Sequence, residues 1–313
     1  VIGWLRIIRT NMTKTILAFY KFLHLKNPRK EKAKLAAFLE ENSTAGTIIL
    51  GNEGINGMCS LDQDKTENVK SFLKKNFTLT RSDFKENLVS SNVFKKLSVK
   101  VKKEIVTLGV PKIDPTAIVG TYIEPEEWDF FISKKEVITI DTRNDFEVEL
   151  GTFEGSVNPQ TVSFHEFVEW WKDKGKALKN KKIAMFCTGG IRCEKATSFL
   201  KSEGLKEVYH LKGGILNYFD KVGNSETSTW KGDCFVFDQR VTVNSHLEPG
   251  DFELCHACRS PLALTDKDHE HFEKGISCHK CFGTKTDKKI LSLKERKKPV
   301  SYTHLTLPTS THG

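Results

Sequence analysis

No stretch of this 313-residue chain approaches the ~18 apolar residues that a membrane span requires, which excludes an integral membrane protein. No secretory signal is legible: Val1–Ile8 is apolar, but no small-residue cleavage site follows it. The eight cysteines do not form the pattern of a secreted disulfide framework. Global disorder is excluded as well, because 38% hydrophobic and 10% aromatic residues are enough for packed cores. These absences lead to an expected cytoplasmic protein with no membrane partner.

The length implies two or three domains, at roughly 100–200 residues each. Lys and Arg number 49 against 40 Asp and Glu, a net charge of +9 with pI near 9.0. A moderately basic chain favours polyanionic partners such as nucleic acid, although lysine is also used for plain solubility. Both ends look foreign. The first methionine is Met12, so residues 1–11 are expected to be an upstream, non-native segment. Residues 300–313 are Thr-rich and carry no helical or strand logic, so an artefactual tail is expected there.

From Met12 onward the pattern reads β-α-β-β-α-β. Ile16–Phe22 is a short apolar strand, and Pro28 opens a helix with Leu35, Phe38 and Leu39 on one face. Thr47–Leu61 reads as two strands around the turn "GNEGING". Asn68–Phe77 is a second amphipathic helix, and Phe94–Leu108 returns to strand. This order predicts a ferredoxin-like, acylphosphatase-like domain over residues 12–110. In its last strand Leu97, Val99 and Val101 share one face and Lys96, Lys100 and Lys102 the other, because side chains alternate. The lysines are candidate RNA contacts, and protection of an edge strand explains them equally well. The glycines of the "GNEGING" turn (Gly51, Gly54, Gly57, with Glu53 and Asn56) fit an RNA grip or a tight hairpin.

Residues 111–225 alternate strand and helix. Val137–Ile140 ends in Asp141, Ser163 is expected to cap a helix through Trp171, and Ile183–Phe186 is a short buried strand. A helix over Glu194–Glu203 stops at Gly204, and Val208–Leu211 is a further strand. Such repeats predict a parallel sheet covered by helices, with ligand sites at the carboxyl ends of the strands.

The loop "MFCTGGIRCEKA" (Met185–Ala196) sits at one such end. Gly189 and Gly190 allow a tight turn whose N–H groups point inward, and the following helix presents its positive end. Arg192 adds a full positive charge. All of these favour a thiolate, so Cys187 is expected to be an activated nucleophile.

"IDTRNDFE" (Ile140–Glu147), "FCTGGIRC" (Phe186–Cys193) and "LKGGILNY" (Leu211–Tyr218) together resemble a rhodanese domain. The resemblance implies that Cys187 is the persulfide-carrying position and that Asp141 and Arg143, matching the family's DxR element, brace the loop and help to bind substrate; a surface ion pair at a strand end is the alternative. Related cysteine phosphatases place arginine six residues after the nucleophile. Here that position is Cys193, so the loop resembles the sulfur-handling type. Cys193 is either a second, resolving thiol or a packed residue of the first helical turn.

"CHAC" (Cys255–Cys258) and "CHKC" (Cys278–Cys281) lie nineteen residues apart, which is zinc-ribbon spacing. Four thiolates give a closed tetrahedral site, so a structural rather than catalytic zinc is expected on Cys255, Cys258, Cys278 and Cys281. This small module, with a basic tail at Lys285–Lys298, is expected over residues 226–299. Cys59 and Cys234 have no partner at metal spacing and are expected in cores.

The motif order as a whole resembles the tRNA uridine hydroxylase family over about Thr13 to Lys298. That resemblance implies a tRNA substrate, O2 as co-substrate and hydroxylation of the wobble uridine at C5. It names no electron donor and no oligomeric state. Two other readings use the same residues: a thiosulfate or persulfide sulfurtransferase acting through Cys187, and a non-enzymatic RNA-binding scaffold.

Overall fold

The computed structural model describes residues 13–297 with the exception of residue 224. The expectations for residues 1–11 and 300–313 lie outside the described residues. The chain divides into two compact units, one running to Gly250 and the other starting at Asp251. No described helix is long and apolar enough to cross a membrane.

The first unit begins with β1 (Lys14–Phe22), α1 (Pro28–Glu41), β2 (Ala45–Gly51), β3 (Gly54–Asp62), α2 (Thr66–Phe77), β4 (Phe84–Val89) and β5 (Leu97–Val101). Asn27 caps α1 by accepting the Lys30 N–H, and Pro28 occupies the first turn, where its missing donor costs nothing. Leu35 and Leu39 of α1 and Val69, Leu73 and Phe77 of α2 bury against one face of the sheet. Phe38 and Phe72 stack between the helices at 3.9 Å. The β2–β3 hairpin needs Gly54, whose φ is +141° and where a Cβ would stand 2.0 Å from the Lys21 carbonyl oxygen.

The sheet order is β4-β1-β3-β2-β5. The fourth strand of the acylphosphatase-like core is therefore β4, and β5 is an added edge strand running parallel to β2. The strand expected at Phe94–Leu108 is this fifth strand. Sequence reasoning passed over β4 because "FKENLV" carries adjacent charges at Lys85 and Glu86 and buries only Phe84. Lys96, Lys100 and Lys102 are exposed along β5, at the opposite edge from β4.

The second layer system contains β6 (Thr121–Ile123), α3 (Pro125–Ile132), β7 (Val137–Asp141), α4 (Asp145–Val148), β8 (Gly151–Phe153), α5 (Phe167–Asp173), β9 (Lys182–Phe186), α6 (Ile191–Ser202), β10 (Val208–Leu211) and α7 (Gly214–Lys221). Its sheet is parallel, in the order β6-β10-β9-β7. Helices α5 and α6 cover one face through Phe167, Trp171, Phe199 and Leu200. Helices α3 and α7 cover the other through Trp128, Ile215, Tyr218 and Phe219. Ser163 does not cap the α5 region through a backbone N–H. Its hydroxyl donates instead to Glu166, whose carboxylate also accepts the Val162 N–H.

Residues 230–250, read above with the C-terminal module, fall in the first unit. There β11 (Trp230–Gly232) pairs with β8, aligning Trp230 with Phe153. The short hairpin of β12 (Cys234–Phe235) and β13 (Thr242–Val243) adds Cys234, Val236 and Val243 to the core beneath α3 and α7. The physical reason is apolar: Cys234, Phe235 and Val236 are all buried here, while Phe237 stays exposed.

The second unit holds the hairpin β14 (Glu253–Leu254) and β15 (Pro261–Leu262) and the helix α8 (Asp287–Lys297). Its small core is Cys255, Cys278 and Cys281 with Leu262.

Candidate active site and metal centre

Cys187 follows the last residue of β9, and its loop leads directly into α6. The Gly190 N–H lies 3.1 Å from the Cys187 sulfur, and Cys193 contributes both its backbone N–H and its thiol as further donors. Gly190 has φ +99°, a left-handed conformation that turns its N–H inward. Gly189 is only half-buried, and a Cβ there would meet nothing. Burial alone would push the Cys187 thiol up. The Cys193 donors, the Arg192 charge and the Gly190 N–H outweigh it and bring Cys187 down to about 6. Cys193 is pushed up by burial and by the neighbouring thiolate, so the pair holds one proton on Cys193. Cys187 is 0% exposed, so the sulfur is closed off from solvent in this arrangement.

Arg192 does not bind the sulfur directly. Its guanidinium clasps Glu147 with two bonds of 2.7 and 2.8 Å, and Thr188 lies 3.4 Å away. That contact keeps the buried Glu147 carboxyl below its ordinary range despite desolvation. Asp141 and Arg143 form a second, fully buried ion pair of 2.6 Å. Arg143 also donates to the carbonyls of Glu147 and Gly151, and Thr152 donates to Asp141. Together the two pairs fix α4, on which Glu147 sits, against the loop. Thr142 links β7 to the same place, bonding Phe186 O at 3.0 Å and reaching Cys193 Sγ at 3.5 Å.

Sequence reasoning missed the contribution of the N-terminal sheet. Tyr20 of β1 donates to Glu194 of α6 at 3.1 Å, and Tyr122 donates to both oxygens of Glu194 at 2.9 Å. Burial raises the Glu194 carboxyl above its ordinary range, against the two tyrosine donors. A Cβ on Gly190 would stand 2.8 Å from the Tyr20 hydroxyl, so this tyrosine lies on the Cys187 loop. Lys195 is 2% exposed and binds Glu53 at 2.8 Å and Glu104 at 2.5 Å. Glu53 also accepts the Ile105 N–H, and Asn56 donates to Ile105 O. The "GNEGING" hairpin thus spends Glu53 and Asn56 on joining the two layers. No local signal marks these residues, because each finds its partner only after the layers pack.

In the second unit the sulfur atoms of Cys255, Cys258, Cys278 and Cys281 all lie within 4.8 Å of one another. Three of the separations are 4.0, 3.7 and 3.7 Å. A tetrahedron with metal–sulfur bonds of about 2.3 Å has edges of about 3.8 Å, so the four thiols fit one metal ion. Cys59 lies in the core of the first sheet and Cys234 in that of the second, and burial pushes both thiols up to about 12.

A thiolate in a nest of amide donors at the end of a parallel sheet, with an acylphosphatase-like layer seated on it, defines a rhodanese-domain protein with an accessory module. Two family models agree: the UPF0176 acylphosphatase-like domain matches residues 14–105, and the rhodanese-like domain matches residues 125–221. A tRNA uridine(34) hydroxylase of Acaryochloris marina (strain MBIC 11017) is 45% identical over 284 residues, 91% of each chain. The chain belongs to the tRNA uridine(34) hydroxylase family. Among solved structures, a rhodanese-related protein of Thermoplasma volcanium is 26% identical over 32% of this chain and 92% of its own, with a TM-score of 0.27. A protein of unknown function from Rhodopseudomonas palustris CGA009, described as a possible tyrosine phosphatase, is 24% identical over 34% of this chain and 83% of its own, with a TM-score of 0.29.

Proposed function

We propose that this chain hydroxylates the wobble uridine of tRNA to 5-hydroxyuridine, with Cys187 as the reacting nucleophile and O2 as co-substrate. The observation that carries this reading is the Cys187 sulfur, held ionised near neutral pH by Gly190, Cys193 and the Arg192 charge in a chain of this family. A thiolate can add to C6 of uracil. The C5–C6 double-bond pair then moves toward the C4 carbonyl oxygen, and C5 becomes electron-rich toward oxygen. Placing one atom of O2 on C5 leaves the other for water, which requires two electrons from an external reductant and a net two protons; loss of the C5 proton then expels the Cys187 thiolate from C6 and restores the C5–C6 double bond. Cys193, protonated beside the thiolate, is the nearest proton donor.

Asp141, Arg143 and Gly189 act through the loop rather than on substrate. Residues 12–110 form the tRNA-binding domain in this reading, with Lys96, Lys100 and Lys102 contacting phosphate. Residues 111–225, with the strands of 230–250 packed on them, carry the chemistry, and the four-cysteine unit that starts at Asp251 stabilises the chain's end. The metal on the four cysteines is zinc, which supplies a closed structural cross-link and no chemistry. The enzyme works in the cytoplasm, where its tRNA substrate is.

The test is nucleoside mass spectrometry of tRNA from cells with and without this gene, complemented by the native chain or by Cys187→Ser. The expected result is loss of 5-hydroxyuridine on deletion, rescue by the native chain and no rescue by Cys187→Ser. Full rescue by Cys187→Ser, in cells lacking any other route to the nucleoside, overturns the role given to Cys187.

A further inference from the structure

Between the N-terminal sheet and helix α7 lies a cavity of about 140 Å³. An engineered apolar cavity of about 150 Å³ holds benzene, so this one matches a single six-membered ring. Met58 of β3 and Leu216 of α7 supply apolar walls, while Lys85 and Asn87 of β4 and Asn217 of α7 supply polar ones. In the sheet Lys85 stands beside Ala18, two residues along β1 from Tyr20, the residue lying on the Cys187 loop. The cavity is therefore about 7 Å along the strand from the reacting end of the domain.

Lys85 reaches from the cavity toward that end. Its ammonium lies 2.5 Å from the point where a Gly213 Cβ would stand, and Gly214 backs directly onto Cys187 O. Lys85 makes no ion pair or hydrogen bond with another described residue, although it is largely enclosed and feels the charges of Asp220 and Cys187. An enclosed ammonium without a bonded partner is costly unless a ligand supplies an acceptor. The two amides are each half used. Asn217 gives its N–H to Lys212 O, which leaves its carbonyl oxygen, and Asn87 accepts from Arg240, which leaves its N–H group. The open groups are thus donors on Lys85 and Asn87 and acceptors on Asn217 and Asp220. Uracil offers the complement, with carbonyl oxygens at C2 and C4 flanking one N–H. Cytosine offers an amine where uracil has the C4 oxygen and would set donor against donor.

The geometry points to this cavity as the pocket that receives the Watson–Crick edge of the target uracil, turned out of its stack, with Lys85 and Asn217 selecting uracil over cytosine and the C5–C6 edge left on the side of the Cys187 loop. The assignment rests on the tRNA-hydroxylase reading above and adds to it where the base binds and why uridine is chosen. Turning out a base costs little in a single-stranded loop, which is where such a pocket can be filled.

The test uses the full chain with its metal and two anticodon stem-loop RNAs that differ only in U or C at the wobble position. The native chain is expected to bind the U form about tenfold more tightly, the discrimination of one good base contact. Lys85→Met and Asn217→Leu are expected to bring that ratio close to one, Lys85→Arg to restore most of it, and Ala18→Phe to weaken the U form by filling the cavity. Thermal melting identifies any variant that has lost its fold, and the remaining ones decide. A native chain without preference, or folded variants that keep the native ratio, overturn the pocket. If 5-hydroxyuridine still depends on the gene in that case, only the pocket falls; if it does not, the functional reading falls as well.

Discussion

Arg192 grips Glu147 with both of its terminal nitrogens, 2.7 and 2.8 Å away, and acts on Cys187 only through space. The arginine of the loop therefore has two tasks. It ties the loop to α4, and it places a positive charge beside the sulfur while being neutralised in part by Glu147. The DxR pair beneath repeats this arrangement, with Asp141 and Arg143 wholly buried. The loop is held by two stacked ion pairs rather than by packing alone.

Removing one partner of such a buried pair leaves the other charged and uncompensated. Arg192→Met should cost about 3–5 kcal/mol of stability, since Glu147 is fully buried. The same variant should also move the pH midpoint of Cys187 alkylation upward, because a lowering charge is gone. Arg192→Lys should recover part of the midpoint but not the stability, as an ammonium cannot make the two-pronged contact. Denaturant melts and iodoacetamide rate profiles check the two effects separately. An unchanged midpoint in Arg192→Met would show that the amide nest suffices.

The thiolate carries a stability signature as well. In the unfolded chain Cys187 should hold its proton up to its ordinary value of 9.0, while in the folded chain it releases it near 6. Between these limits the unfolded state binds more protons, so stability should rise from pH 6 to pH 9 and be lost as pH falls through 6. Cys193 shifts the other way and acts only above 9, outside this window. Glu194 is raised above the ordinary carboxylate value, so its contribution falls as pH rises above that value. Cys187→Ser should flatten the slope between pH 6 and 9 in urea melts.

Much of this site was legible in the sequence, and the parts that were not share a cause. The Cys187 loop, the Asp141–Arg143 element and the paired CxxC segments each declare themselves within a dozen residues, because turn, helix start and ligand spacing are local. Tyr20, Glu53, Lys85 and Glu194 carry no such signal. Tyr20 sits 174 positions from its partner Glu194, and Lys195 sits 91 from Glu104. Strand β4 is hard to read because it has two adjacent charges, Lys85 and Glu86, and a single buried Phe84, a pattern that also describes a loop. The stretch 230–243 was read with its neighbour in sequence, whereas its apolar side chains pack beside Phe153 and Tyr218.

The contact between Lys195 and Glu53 should behave as a latch between the two layers. Lys195 is nearly fully buried while Glu53 and Glu104 are about one-fifth exposed at their side chains. Lys195→Met should therefore destabilise by less than the about 3–5 kcal/mol of a dry pair. It should make the linker around residues 102–120 more open to protease and speed alkylation of Cys187, which the joined layers cover. Glu53→Gln should give a smaller version of both effects, since Glu104 remains. Limited proteolysis followed by mass spectrometry locates the cut, and equal protection of native and variant chains would rule out the latch.

The second unit poses a different question, because its few buried hydrophobic side chains are three cysteines beside Leu262, Ile276 and Leu293. Cys255, Cys278 and Cys281 with Leu262 leave little apolar area to fold on, and modules this small fold only with help. A metal bound by four thiolates can supply more than the unit's own packing. Chelation, or Cys278→Ser, should unfold the hairpin and the four-cysteine core between Asp251 and Phe282 while the first unit keeps its melting transition. Hydrogen exchange read by mass spectrometry distinguishes the two regions, and elemental analysis should give about one zinc per chain. Protection of Cys255–Cys281 that survives complete metal removal would mean that the four thiols are held by the fold alone.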